Sequence, residues 1–258
     1  HSVLNREIPS LFIGNGPKLL HFNASFHGNE WITTPVLMTF LNDYLLAITN
    51  NQLLQGMPML AQYVETTLSI VPMVNPDGVD LVLNGLPPDE AVRDQLLKWN
   101  NGSNDFSGWK ANINGVDLND QFPADWELER ANNPKSPGPR DYGGEHPLSQ
   151  PESIAMANLT ERMNFARVLA LHTQGEVIYW GYQGLEPPQA EDIVNEMAAH
   201  SGYEPVNNAG SYAGYKDWFI QQFRRPGYTI EAGRGENPLP ISQFDEIYRD
   251  NLGILVTA

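Results

Sequence analysis

The 258-residue sequence predicts an α/β protein built as one domain. Short apolar runs rich in β-branched and aromatic residues alternate with longer stretches in which apolar residues recur every three or four positions. This alternation is typical of helices that cover a largely parallel sheet. Hydrophobic residues make up 41% of the chain, which is enough for a sizeable core, and no repeat or linker divides it. We therefore expect a single domain over residues 1–258.

Five apolar runs are the predicted strands, because each is rich in β-forming residues and most are flanked by polar or turn-forming residues. In chain order they are Leu19–Asn23, Leu68–Pro72, Arg167–His172, Glu176–Trp180 and Tyr228–Glu231. Polar side chains close three of these runs. The carboxyl ends of strands are where open α/β sheets place their ligand sites, so these closing residues are the first candidates for function.

Five amphipathic stretches are the predicted crossover helices. They cover about Thr33–Ile48, Glu152–Met163, Pro188–His200, Tyr215–Phe223 and Ile241–Leu255. The segment from about Asn84 to Gln150 is different, since it is dense in Asn, Gly, Pro and charged residues and has little sustained period. We expect long ordered loops there, of the kind that build a binding site.

Composition excludes several classes of partner and ligand. The chain has 31 acidic and 15 basic residues, a formal net charge of −16, so its surface field repels nucleic acids and anionic lipids. It contains no cysteine, which leaves His, Asp and Glu as the good metal ligands.

No apolar stretch approaches the ~18 residues of a membrane-spanning helix, and the N-terminus lacks the layout of a signal peptide. The abrupt opening His1-Ser2-Val3-Leu4 leaves open a preceding leader or accessory domain, and the compartment stays undetermined.

The first candidate metal ligands are His27 and Glu30, which follow a predicted strand and open a helix. An imidazole and a carboxylate three positions apart can point at one spot, and zinc accepts both. Taken alone, the pair is better explained as a carboxylate at the start of a helix that lies beside a surface histidine. His172 changes this interpretation, because it ends a buried strand at the edge where ligand sites form. Two histidines and one carboxylate leave a fourth position open, as in catalytic zinc sites.

Glu231 ends the run Tyr228-Thr229-Ile230 in the same way as His172 ends its strand. Taken alone, Glu231 is more simply interpreted as the partner of a buried ion pair, with Arg234 as the candidate cation. Beside a zinc site it becomes a candidate general base, because a carboxylate can take the proton of the attacking water while the metal polarises the scissile carbonyl.

Five signatures occur in the order and approximate spacing of the zinc metallocarboxypeptidases, which this chain resembles. They are His27-x-x-Glu30, Asn75-Pro76-Asp77-Gly78, Gly115-Val116-Asp117-Leu118-Asn119, His172 and Thr229-Ile230-Glu231. The resemblance implies a three-layer α/β/α sandwich around a mixed, mostly parallel sheet of about eight strands. It also implies one zinc ion per chain, held by His27, Glu30 and His172, with Glu231 as base and proton shuttle.

Two further runs, Asp117–Ala124 and Pro137–Tyr142, resemble a bacterial branch of that family, the γ-D-glutamyl-L-diamino acid endopeptidases. One departure concerns substrate. Where typical carboxypeptidases have an Asn-Arg pair whose arginine grips a terminal carboxylate, this chain has Asn119 and Asp120. An acid at that position would repel a free C-terminus, so both residues are predicted to bind a different substrate group.

Three other substrate-site positions follow from the resemblance. Lys110 follows Trp109 where the family usually places an oxyanion-stabilising arginine; a solvated lysine fits equally well. The family's substrate-binding tyrosine falls just before Lys216, and both Tyr212 and Tyr215 fit. Arg140 is a candidate substrate-binding residue for the alternative of a conventional carboxypeptidase, in which it or Arg234 would form a carboxylate-binding fork elsewhere in the pocket.

The resemblance thus predicts a soluble bacterial zinc peptidase, cytoplasmic or associated with the cell wall. It would hydrolyse the amide between γ-D-glutamate and the L-centre of a diamino acid, diaminopimelate or lysine, in peptidoglycan stem peptides or muropeptides. One alternative is a conventional metallocarboxypeptidase whose substrate carboxylate is gripped by Arg140 or Arg234. The other is a non-catalytic peptidoglycan-binding module. The sequence leaves the oligomeric state and the choice of diamino acid open.

Overall fold

A computed structural model describes residues 1–207 and 210–258, and a sheet of seven strands lies at its centre. The strands are β1 Leu11–Gly14, β2 Lys18–Ala24, β5 Thr66–Val71, β6 Arg167–His172, β7 Val177–Tyr179, β8 Glu204–Val206 and β9 Gly227–Glu231. Two two-residue strands, β3 Leu53–Leu54 and β4 Met57–Pro58, form a separate hairpin. All five predicted strands are present. β1 and β8 were not predicted, because they are only four and three residues long.

The sheet is mixed and mostly parallel, as predicted, with the order β1-β5-β2-β6-β9-β7-β8. The pairs β5–β2, β2–β6, β6–β9 and β7–β8 are parallel, and the pairs β1–β5 and β7–β9 are antiparallel. The described residues give seven strands in this sheet, where about eight were expected. Because β2, β6 and β9 are parallel neighbours, their carboxyl ends meet at one edge, and His172 lies opposite Glu231 there.

Nine helices surround the sheet in the described part of the chain. They are α1 Thr33–Thr49, α2 Met59–Glu65, α3 Pro76–Asn84, α4 Glu90–Trp99, α5 Trp126–Asn132, α6 Pro151–Met163, α7 Gln189–Ser201, α8 Tyr215–Phe223 and α9 Phe244–Thr257. The five predicted helices correspond to α1, α6, α7, α8 and α9. None of the helices described has the length and apolar character needed to cross a bilayer.

Two helices lie inside the segment that was expected to contain only loops. α4 begins after Asp89, whose carboxylate accepts hydrogen bonds from the backbone N–H groups of Ala91 and Val92. Its only fully buried residue is Leu96, so the periodic spacing of apolar residues along α4 is too weak to predict a helix from the sequence. α5 is seven residues long and buries only Trp126. The expectation of loops alone was therefore wrong for these two stretches, while the residues between them form turns, loops and one short 3-10 helix over Leu118–Asp120.

Both faces of the sheet are covered, which confirms the three-layer sandwich. Along β6, Leu169 and Leu171 belong to a core shared with α1, α7 and α9. The alternate residues Val168 and Ala170 belong to a second core shared with α6 and α8. Because successive side chains of a strand point to opposite faces, a strand buried on both sides reads as a continuous apolar run. This explains why β6 was easy to predict.

Gly28, next to the first candidate metal ligand, lies close to the first turn of α3 and to the loop that contains Trp109. A Cβ atom at this position would come within 2.7 Å of the carbonyl group of Gly78 and 2.9 Å of the carbonyl oxygen of Trp109. We expect Gly28→Ala to lower the free energy of unfolding by about 1–3 kcal/mol, because the backbone must shift to admit the methyl group. Urea denaturation measures this. Gly108→Ala is the matched control, since a Cβ there meets nothing within 4 Å, and an equal loss in both variants would contradict the close-contact argument.

Candidate active site

Three candidate ligands meet at the carboxyl edge of β2 and β6. His27 follows β2, a short 3-10 helix over Gly28–Glu30 turns Glu30 back towards it, and His172 closes β6. Nδ1 of His27 lies 2.8 Å from Oε1 of Glu30, and Nδ1 of His172 lies 2.9 Å from Oε2 of Glu30. The two Nδ1 atoms are 3.2 Å apart. All three residues are buried, and their ligand atoms lie within 4.8 Å of one another. The predicted proximity of these side chains is confirmed.

The donor set fits a zinc ion. Two ring nitrogens that face each other at 3.2 Å cannot both carry a proton on that side, so at least one of them presents a lone pair beside the carboxylate of Glu30. Two imidazoles and one carboxylate are the ligands of catalytic zinc sites, which keep a further position for water or substrate. The surroundings also favour positive charge. Burial disfavours the imidazolium of His27, yet the carboxylates of Glu30 and Asp117 outweigh burial and raise its pKa to about 9.

The loop that carries His27 is held by the motif Asn75-Pro76-Asp77-Gly78. The side-chain oxygen of Asn75 caps α3 by accepting a hydrogen bond from the backbone N–H of Gly78. Its amide nitrogen donates to the carbonyl oxygens of Phe26 and Ala111, each at 3.1 Å. The motif therefore fixes the backbone on both sides of the cluster. Its role in this structure is to support the ligands.

Asp117 is a functional candidate to which sequence reasoning gave no role. Its Oδ1 lies 3.0 Å from Nε2 of His27, the ring nitrogen that faces away from Glu30. A carboxylate in this position fixes the orientation and tautomer of a metal-binding histidine. Asp117 was noticed only as part of a motif, because it is 90 residues from His27 in the sequence and the fold alone brings them together.

Glu231 lies at the end of β9, directly across from His172 in the sheet register. Burial, reinforced by the negative charge of Glu30, raises the pKa of Glu231 to about 8. A carboxyl group with a raised pKa is suited to taking up and returning a proton near neutral pH. Arg234, the alternative partner considered from the sequence, pairs with Glu176 instead, with Nε 2.5 Å from Oε2. The ion-pair interpretation of Glu231 is thus not supported.

A cavity of about 300 Å³ opens beside the cluster and is lined by half of the predicted site residues. His27, Lys110, Asn119, Asp120 and Glu231 all line it. The cavity is rich in acids: Asp120, Glu129, Asp141, Asp217 and Glu231 line it together with two cations, Lys110 and Lys216. This balance favours a ligand that carries positive charge.

Lys110 is fixed rather than freely solvated. Its side chain is 19% exposed, and Nζ lies 3.4 Å from Oδ2 of Asp117 and 3.6 Å from Oδ1 of Asp141. Burial disfavours its charge, but Asp117, Glu30 and other nearby carboxylates outweigh burial and raise the pKa of Lys110. It therefore presents a permanent positive charge at the edge of the cavity, next to the cluster.

Asn119 and Asp120 lie on a short 3-10 helix over Leu118–Asp120, whose first turn is capped by the side chain of Asp117. The side-chain oxygen of Asn119 accepts a hydrogen bond from the backbone N–H of Tyr215. Oδ2 of Asp120 accepts one from Nδ2 of Asn133 at 3.1 Å. Burial and the nearby charge of Asp117 raise the pKa of Asp120 well above its usual range. A cation bound beside Asp120 would relieve this unfavourable environment.

The two tyrosines and Arg140 take different positions. Tyr215 is fully buried, and its hydroxyl is hydrogen-bonded to that of Thr160 at 2.8 Å, so it packs in the core. Tyr212 is partly buried, and its neighbour Ser211 lines the cavity. The side chain of Arg140 is 58% exposed and lies 3.6 Å from Asp141, a residue of the cavity lining. Neither tyrosine lines the cavity; Tyr215 lies in the second core, and Tyr212 packs against that core from its edge.

Comparisons with known proteins agree with this geometry. The sequence model of a family described as zinc carboxypeptidase matches residues 1–253. The γ-D-glutamyl-L-diamino acid endopeptidase 1 of Lysinibacillus sphaericus is 65% identical over 256 residues, which cover 99% of this chain and 65% of that protein. The chain thus spans about two thirds of the length of this relative. The uncharacterized protein YqgT of Bacillus subtilis is 49% identical over 258 residues, covering 98% of this chain and 69% of that protein.

Solved structures show the same fold at low sequence identity. Thrombin-activatable fibrinolysis inhibitor superposes with a TM-score of 0.74 at 18% identity, covering 99% of this chain and 66% of that one. Murein-tripeptide amidase MpaA of Escherichia coli O157 gives 0.61 at 21% identity, covering 100% of this chain and 89% of that one.

Proposed function

The chain belongs to the zinc carboxypeptidase family, and from this premise we propose that it hydrolyses the amide between γ-D-glutamate and the L-centre of a diamino acid in bacterial peptidoglycan peptides. The observation that carries the substrate proposal is Asp120, an acid in the cavity beside the cluster and Glu231. A curated relative at 65% identity is named for this activity. The diamino acid, diaminopimelate or lysine, offers an amine that an acidic cavity can bind.

In the proposed mechanism, His27, Glu30 and His172 hold one zinc ion, and Asp117 holds the ring of His27 in position. When bound, zinc polarises the scissile carbonyl and makes water a better nucleophile near neutral pH. Glu231 takes the proton of the attacking water and returns it to the nitrogen of the leaving amine.

Two further residues of the cavity have proposed roles. Lys110 places its charge where negative charge develops on the carbonyl oxygen, in a largely buried setting that strengthens the interaction. Asp120 binds the free amine of the leaving diamino acid. Asn119 stays a candidate for substrate contact through its amide nitrogen, since its oxygen accepts a hydrogen bond from Tyr215. Tyr212 stays the candidate substrate-binding tyrosine.

The preference for a free amine is the property that Asp120 should control. A hydrogen bond between charged groups contributes about 1.5–3 kcal/mol, so the parent should prefer a substrate with a free side-chain amine over its acetylated form by roughly tenfold to hundredfold in kcat/KM. We expect Asp120→Asn to lose most of this preference, because the amide is similar in shape but carries no charge. The acetylated substrate serves as the internal control. An undiminished preference in the variant would remove Asp120 from the amine site.

The conventional carboxypeptidase alternative needs a guanidinium in the cavity. In the described residues, Arg140 pairs with Asp141 and Arg234 pairs with Glu176, and neither lines the cavity. Mass spectrometry of a muropeptide digest, run beside a panel of C-terminal dipeptides, separates the two activities. Our proposal requires products cut between D-glutamate and the diamino acid. Release of C-terminal residues alone would favour the carboxypeptidase, and no turnover with added zinc would favour a binding module.

A further inference from the structure

One wall of the cavity is formed by Ser211–Tyr215, of which Ser211 and Gly214 line the cavity. We call this segment the cavity wall. It is attached to the neighbouring stretch Asn119–Ala124 through three hydrogen bonds made by its backbone. The N–H of Phe122 donates to the carbonyl oxygen of Ala213, and the N–H of Ala213 donates to that of Ala124. The N–H of Tyr215 donates to the side chain of Asn119.

Glu129 on α5 makes a fourth attachment to the cavity wall. Its Oε2 accepts a hydrogen bond from the backbone N–H of Tyr212 at 2.6 Å. Its Oε1 accepts one from Nδ2 of Asn133 at 2.8 Å, and the same Nδ2 lies 3.1 Å from Oδ2 of Asp120. Glu129 itself lines the cavity. One oxygen of Glu129 thus binds the cavity wall, and the other binds Asn133, which in turn binds Asp120, the residue proposed to bind the substrate's amine.

We propose that Glu129 is a positioning residue that holds the cavity wall and, through Asn133, orients Asp120 towards the substrate. A carboxylate is a strong acceptor for a backbone N–H, and a short hydrogen bond to it restricts the segment that carries the donor. Because Asn133 binds Oδ2 of Asp120, Oδ1 is the oxygen that we assign to the substrate's amine. The substrate part of this inference rests on the proposed function, whereas the hold on the cavity wall does not.

The proposal is tested with two substitutions at one position. Glu129→Ala removes both acceptors, and we expect KM for the amine-bearing muropeptide to rise about tenfold or more with kcat within about threefold of the parent. Glu129→Gln keeps an oxygen that can accept from the N–H of Tyr212 but turns an NH2 group towards Nδ2 of Asn133, so its KM should rise, though by less than in Glu129→Ala. Glu127→Ala is the matched control, since Glu127 is exposed on the same helix.

Hydrogen–deuterium exchange of a peptide that covers the cavity wall supplies a measurement that needs no substrate. We expect faster exchange in Glu129→Ala than in the parent and near-parental exchange in Glu129→Gln. Equally fast exchange of the cavity wall in the Ala and Gln variants would overturn the hold on that segment, because glutamine keeps the acceptor for the N–H of Tyr212. Parental KM and exchange in Glu129→Ala would overturn it as well. If the parent does not cleave the muropeptide, the proposed function fails, while the exchange data still decide whether Glu129 holds the cavity wall.

Discussion

Replacing Glu231 by glutamine is expected to reduce kcat by about 10²- to 10⁴-fold while the fold and the zinc content stay as in the parent. A positioned general base contributes this much to the rate, which corresponds to about 3–5.5 kcal/mol of activation free energy. The amide of glutamine is nearly the same size as the carboxylate but cannot accept the proton of the attacking water. The effect should fall on kcat more than on KM, since Glu231 is assigned to the chemical step.

Glu176→Gln is the matched control for this experiment. The carboxylate of Glu176 pairs with Arg234, and Glu176 does not line the cavity. We therefore expect turnover of the Glu176 variant within a few-fold of the parent. Steady-state kinetics with a defined muropeptide, together with metal analysis of each variant, measure both effects. A near-parental rate for Glu231→Gln, or a large loss for Glu176→Gln, would move the base to another residue.

The parts of the site that the sequence reveals are those fixed by strand ends. His172 and Glu231 each follow a continuous apolar run, and a strand buried on both faces produces such a run. Because parallel neighbours align their carboxyl ends, proximity of the two side chains follows from topology. His27 and Glu30 are close in sequence, so their pairing depends on a local turn. The sequence alone therefore predicts that these four side chains lie close together.

The contacts that the sequence does not reveal depend on loops folding against one another. Asp117 reaches His27 across 90 residues, and no local pattern in its motif marks that contact. Arg234 was paired with Glu231 from proximity in sequence, whereas the fold places it beside Glu176. The choice between Tyr212 and Tyr215 required burial, which periodicity cannot give for a residue at the start of a helix. α5, which carries Glu129, is too short and too polar for its pattern to be recognised.

Replacing His172 by alanine is expected to remove the zinc ion and, with it, nearly all activity. The parent should retain about one equivalent of zinc per chain, because two imidazoles and one carboxylate converge within 4.8 Å in a buried site. Without His172, two ligands remain, and Glu30 loses the ring that lies 2.9 Å from its Oε2. The variant should then release zinc to a weak chelator that leaves the parent loaded, as measured by metal analysis after dialysis.

Two further variants separate loss of a ligand from general damage to the protein. His200→Ala removes an exposed imidazole at the end of α7 and should keep about one equivalent of zinc. Asp117→Asn keeps all three ligands but weakens the contact that orients His27, so it should lower zinc affinity by about 10- to 100-fold, less than the loss in His172→Ala. Far-UV circular dichroism checks that each variant is folded. If His172→Ala holds zinc as tightly as the parent, His172 is not a ligand, and the metal must be bound by a different set of residues.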